Sequence, residues 1–145
     1  MLSRKLSWES PRATLVVGKS DLRPQAVEAA LGLKGATVNV RGTEAAAGSE
    51  TMWTYRSGRE SFDVEQQLAD LVGELLPLVD ALKGLVAQGF RVRVDISGFV
   101  ETNSPCKLAP STIALVNQLG IPLSFTARVA KNEESDSDWL DSILG

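Results

Sequence analysis

The longest periodic stretch of the chain runs from Asp63 to Gln88, where Val64, Leu68, Leu71, Leu75, Val79, Leu82 and Val86 recur at steps of three and four. That spacing lays an apolar stripe along one side of a helix and predicts the main core helix. Asp63 followed three residues later by Gln66 resembles a capping box, and Gly89 supplies the stop. Pro77 falls inside the stretch, where it removes one backbone hydrogen bond at about 3 kcal/mol if the helix stays straight. A kink or two consecutive helices is therefore expected.

Elsewhere the period drops to two. Phe90, Val92, Val94 and Ile96 alternate with Arg91, Arg93, Asp95 and Ser97, and Phe125, Ala127 and Val129 alternate with Ser124, Thr126 and Arg128. Each run predicts a strand with one face in the core and the other in water, so the sheet has an open face. Ala13 to Gly18 is a shorter apolar run with Leu15 and Val17 on one side, and Val38 and Val40 alternate with Thr37, Asn39 and Arg41. The Gly- and Ala-rich residues 42–49 then lead to Met52-Trp53-Thr54-Tyr55-Arg56, which reads as a hairpin with a long loop.

Two short helices complete the pattern. One begins after Asp21-Leu22-Arg23-Pro24, carries Ala26, Val27, Ala30 and Leu31, and stops at Gly32; the other runs from about Pro110 to Leu119. Their frames echo each other, Leu22-Arg23-Pro24 and Leu31-Gly32-Leu33 against Leu108-Ala109-Pro110 and Leu119-Gly120-Ile121, with the second copy two residues longer. Two strand-helix-strand halves joined by the long helix are the arrangement of ferredoxin-like sandwiches. The expected fold is α+β: a ferredoxin-like or related sandwich, with a four- to five-stranded, mainly antiparallel sheet and helices on one face. It occupies residues 1–130 as one domain, succeeded over 131–145 by an acidic linker and a short amphipathic C-terminal segment.

These residues together resemble a family of small bacterial proteins known as domain of unknown function 4279. The resemblance is carried by the strand at Ala13 to Gly18, the Asp21-Leu22-Arg23-Pro24 helix start with Leu31-Gly32-Leu33, Trp53 in its strand, Asp63-Val64-Glu65-Gln66-Gln67-Leu68, and Leu119-Gly120. It spans about Ala13 to Val129. It implies a fold and brings no activity and no catalytic residue with it.

Composition narrows the classes of function. A chain of 145 residues that is 43% apolar can bury about two-thirds of its unfolded surface in one core. Its longest hydrophobic stretch, Leu68 to Val86, is broken by Asp70, Glu74, Asp80 and Lys83, so a membrane span is not expected. Met1 to Glu9 has two basic residues but no apolar run behind them, unlike a secretory leader. The single cysteine, Cys106, cannot form a disulfide within the chain, and the expected location is the cytoplasm. A net charge of −3 opposes binding to a polyanion, so nucleic acid is not the expected partner.

Candidate chemistry is sparse. Ala13 to Ser20 fits a loose phosphate-binding loop, but that loop needs a strand before it and a helix directly after its lysine. Here Glu9-Ser10-Pro11-Arg12 precedes it, Pro24 interrupts the residues after Lys19, and the segment itself reads as a strand. No histidine is present, which removes Ser-His and Cys-His pairs and most transition-metal sites. Lys107 beside Cys106 could activate the thiol, yet no base accompanies it. Asp95 and Glu101 could act as an acid/base pair, although strand-end carboxylates are commonly solvated or paired with arginines such as Arg91 or Arg93. Glu133 to Asp138 is too irregular for a calcium loop. No catalytic residue, metal or cofactor is expected.

Binding is the remaining expectation. Arg91, Arg93 and Arg128 gather on the open sheet face if the strands align, and Trp53 or Tyr55 join them if their register points outward. Arginine beside aromatic rings is the composition of a protein-binding hot spot. At the C-terminus, Trp139, Leu140, Ile143 and Leu144 form an apolar stripe that must dock on something: this chain's own core, a second copy, which makes homo-oligomerisation an expectation, or a separate partner. The preferred function is a non-enzymatic bacterial protein that binds another protein, an immunity or inhibitor role being one form. The alternatives are an enzyme of unfamiliar type and a small-ligand sensor.

Overall fold

The computed structural model describes residues 8–34, 37–41, 50–57, 63–100 and 105–129. In chain order the elements are β1 (Glu9–Lys19), α1 (Pro24–Leu31), β2 (Thr37–Arg41), β3 (Glu50–Arg56), α2 (Val64–Leu75), a single 3-10 turn (Leu76–Leu78), α3 (Val79–Ala87), β4 (Arg91–Val100), α4 (Pro110–Asn117) and β5 (Leu123–Val129). Pro77 acts as its chemistry requires: the long periodic stretch divides into α2 and α3, and the proline sits in the 3-10 turn between them.

The five strands form one mixed sheet in the order β2-β3-β1-β4-β5. The β2–β3, β3–β1 and β1–β4 pairings are antiparallel, and β4–β5 is parallel. Elements β1 to β4 with α1 and α2–α3 have the connectivity of a ferredoxin-like sandwich, and α4 with β5 extends it at one edge. The two strand-helix-strand units are therefore placed differently: β3 separates β1 from β2, whereas β4 and β5 are direct neighbours. Their helices still match. Each begins with proline in its first turn, and Gly32 and Gly120 both take φ +68°, a left-handed conformation that a side chain would oppose.

One face of the sheet makes the core. Ala13, Leu15 and Val17 of β1, Trp53 of β3 and Val92, Val94 and Ile96 of β4 pack with Val27, Leu31, Leu68, Leu71, Leu75, Leu82, Leu85, Val116 and Leu119 from the helical layer. The opposite parity of each strand has no helix over it among the described residues. Near its start β1 has an irregularity: the register shifts between Glu9 and Arg12, and Ser10 takes φ +48°. The side chain of Gln67 repairs the backbone there. Its Oε1 accepts from the Ala13 amide at 3.0 Å and its Nε2 donates to the Pro11 carbonyl.

The helices are tied by carboxylates. Asp63 caps α2 by accepting from the Glu65 amide at 3.0 Å, while Gln66, at the capping-box position, donates to Asp70 at 2.9 Å. Glu65 reaches across to the start of α4 and accepts from the Ala109 amide at 2.5 Å and the Thr112 hydroxyl at 2.7 Å. Those bonds favour the ionised form and hold its carboxyl below the ordinary range.

Candidate functional site

The uncovered sheet face carries a concavity of about 290 Å³. Its lining comes from four adjacent strands: Thr14 and Val16 of β1, Met52 and Thr54 of β3, Arg93, Asp95 and Ser97 of β4, and Thr126 and Arg128 of β5. Pairing explains the gathering. Thr14 lies opposite Asp95 and Val16 opposite Arg93, while Val16 also faces Thr54 across the other side of β1. In the parallel pair, Asp95 aligns with Ser124 and Ser97 with Thr126. Polar positions of each alternating strand thus fall in rows across one surface.

Asp95 is the centre of this surface and only 9% exposed. One carboxylate oxygen, Oδ1, accepts from the Ser124 hydroxyl at 2.6 Å and the Thr126 hydroxyl at 2.9 Å. Arg93 Nε donates to the Ser124 oxygen at 3.1 Å, so the guanidinium reaches the carboxylate through a shared hydroxyl. A buried carboxylate needs such donors, and this chain of hydrogen bonds fixes four side chains at once. Val16 and Met52 are buried beside it and give an apolar floor. At one end Arg91 pairs with Glu50, and Gly18 leaves the room for this: a Cβ there would stand 2.7 Å from Glu50 Oε1. At the other end Arg128 stands exposed.

The expected arginines accordingly share the open face: Arg91, Arg93 and Arg128 all have its parity. The aromatic residues do not join them. Trp53 pairs with Val17 and is 0% exposed on the core side, and Tyr55 pairs with Leu15 on that same side. The two rings stack at 6.3 Å, and the Tyr55 hydroxyl donates to Glu74 Oε1. Trp139, Leu140 and Ile143, together with Glu101, lie outside the described residues. Alternation alone does not single out Ser124 or Thr126 as partners of Asp95. Their polar parity is visible in the sequence, but the β4–β5 register that brings them to it is a tertiary property.

Tyr55 is the only tyrosine in the chain, which makes its ionisation directly measurable. The hydrogen bond to Glu74, then burial, then the Glu74 charge push its pKa up to about 12. A phenol raised in the fold stabilises the protein fully below its unfolded value of about 10 and loses that contribution as pH rises through the folded value. Tyrosinate absorbance should therefore show a native midpoint near 12. In Glu74→Gln the midpoint should fall toward the ordinary value; an unmoved midpoint would mean that the hydroxyl has another partner.

Two other sequence motifs are placed by the fold. Ala13 to Lys19 lies inside β1, and Thr14 to Gly18 are paired with both β3 and β4, so the backbone of this segment is not a free loop that could cradle a phosphate. Lys19 sits 4.8 Å above the Phe90 ring and 3.7 Å from Asp21. Cys106 is partly buried against the core, and its thiol is held above the ordinary range by burial and then by the charge of Glu65, the reverse of what a nucleophile needs. Among the described residues no cluster of acidic or sulfur side chains could hold a metal ion, and no helix is long and apolar enough to cross a membrane.

Fold and surface together define a class: a ferredoxin-like α+β sandwich whose free sheet face presents a preorganised polar groove. The family model described as Domain of unknown function (DUF4279) matches residues 9–130, and the chain belongs to that family. No curated protein and no solved structure matches it.

Proposed function

We propose that this chain is a cytoplasmic, non-enzymatic module that binds another protein through its open sheet face, an immunity or inhibitor role being one form of that activity. The observation that supports this is the Arg93–Ser124–Asp95–Thr126 network, which holds charged and hydroxyl groups in fixed positions on a surface with no helix over it among the described residues. Preorganised polar groups around an apolar floor lower the ordering cost of association. Arg128 at the rim and the Asp95 carboxylate offer complementary charges to an acidic residue and a donor on the partner.

A second reading, a small-ligand sensor, draws on the concavity itself, because about 290 Å³ also suits a small polar molecule. One set of variants separates the two. Arg128→Glu and Asp95→Asn should each weaken capture of a specific cellular protein at least tenfold while leaving the circular dichroism spectrum unchanged. Capture that survives both changes would place the interface elsewhere. A melting temperature that rises with a small polar molecule, and stops rising in Asp95→Asn, would favour the sensor.

A further inference from the structure

Strand β5 is left half-dressed on the helical side of the sheet. Helix α4, which connects β4 to β5, leans on α2, and its buried residue Val116 joins the core there. Phe125 and Val129 have the core-facing parity, since they align with Ile96 and Val100, yet they are 49% and 63% exposed. Between them Ala127 aligns with Gly98, and Trp8 lies across that glycine: a Cβ on Gly98 would meet Trp8 Cε3 at 2.9 Å. Trp8 also meets Phe125 edge-on at 6.2 Å. Trp8, Phe125, Ala127 and Val129 thus make a contiguous apolar strip along a sheet edge. Single exposed apolar residues are ordinary, but a contiguous strip marks a contact surface.

We propose that the occupant of this strip is the chain's own C-terminal segment, Trp139 to Leu144. The family match ends at residue 130, one position after β5, and residues 131–145 continue from there. Nine residues, 130–138, separate Val129 from Trp139, and the ten Cα–Cα steps between the two reach at most about 33–36 Å when extended, while the seven residues of β5 span about 23 Å. The tail can therefore return along the strand it leaves. Glu133 to Asp138 keep the linker solvated, and the Trp139, Leu140, Ile143, Leu144 stripe supplies the apolar side that the strip lacks. So short a segment gains helical order only by docking. A tether this short gives an effective concentration in the millimolar range, which favours the chain's own tail over that of a second copy.

The test compares the full chain with a chain ending at Glu134, which keeps every described residue. Truncation should lower the melting temperature by about 2–8 °C with the sedimentation mass staying that of a single chain. Phe125→Ser should lower the melting temperature of the full chain clearly more than that of the truncated one, because both changes remove the same contact. Should Phe125→Ser fail to fold, Ile143→Ser in the full chain should reproduce the truncation. An unchanged melting temperature after truncation, or equal Phe125→Ser effects in both chains, would overturn the proposal. A full chain that sediments as a dimer and a truncated one as a monomer would overturn it too, by assigning the strip to a second copy.

Discussion

Trp53→Ala should destabilise the protein by roughly 3–5 kcal/mol, the range of large aromatic truncations in a packed core. The indole is fully buried on β3, second from the sheet edge, between Val17 of β1 and Val38 of β2 and stacked on Tyr55. Removing it leaves a cavity that strands paired on both sides can close only partly. Its Nε1 has no hydrogen-bond partner among the described residues. Trp53→Phe discards that unpaired donor along with part of the volume, so it should cost much less than the alanine change. Urea unfolding of both variants provides the check. An alanine variant within about 1 kcal/mol of the parent would place the side chain outside the core.

Trp53 also illustrates where sequence reading runs out. In β4 the alternation is one-sided, with Val92, Val94 and Ile96 against Arg91, Arg93 and Asp95, so the buried face and the arginines of the open face were both legible. In β3 neither parity is clearly apolar: Met52 and Thr54 compete with Trp53 and Tyr55. Pairing with β1 decides the matter, because Val17 and Leu15 draw Trp53 and Tyr55 to the core side and leave Met52 as floor of the groove. A two-residue period says that faces differ, and only the neighbouring strand says which one is covered.

The groove was legible to the same extent. Arg91, Arg93 and Arg128 could be assigned to one surface from parity alone, and so could Asp95, Ser124 and Thr126. The specific contacts could not, since they depend on β5 lying parallel to β4 with Asp95 level with Ser124. A carboxylate flanked by arginines in sequence suggests an ion pair, yet Asp95 takes hydroxyl partners across the strand pair and Arg93 joins through Ser124. Side chains at i and i+2 on a strand share a face but stand apart, whereas cross-strand neighbours touch. The short helices were easier to read: proline at the start and glycine after the end are local chemistry, and both α1 and α4 form between such signals.

Gln67 carries the second large effect and is invisible to apolar periodicity, being a polar residue beside Leu68 on the buried side of α2. Its amide supplies one acceptor to Ala13 and one donor to Pro11, in the part of β1 that lies before the pairing with β3 begins at Thr14. Gln67→Leu keeps the bulk but leaves two backbone groups unpaired; at about 1–3 kcal/mol for each, the loss should be roughly 2–6 kcal/mol. Faster hydrogen exchange at the Ala13 amide should accompany it. Gln67→Glu gives a sharper test, because an ionised carboxylate can still accept from Ala13 but faces the Pro11 carbonyl with no proton to give. Burial and that carbonyl raise the folded pKa of the new glutamate above its unfolded value, so protonation restores the missing donor. Stability of this variant should therefore be highest below the ordinary glutamate range and fall as pH rises through the raised folded pKa. Denaturant midpoints measured across acidic to neutral pH would show a Gln67→Glu curve that drops with pH relative to the parent. Parallel curves for the two proteins would mean that Gln67 does not hold the backbone of β1.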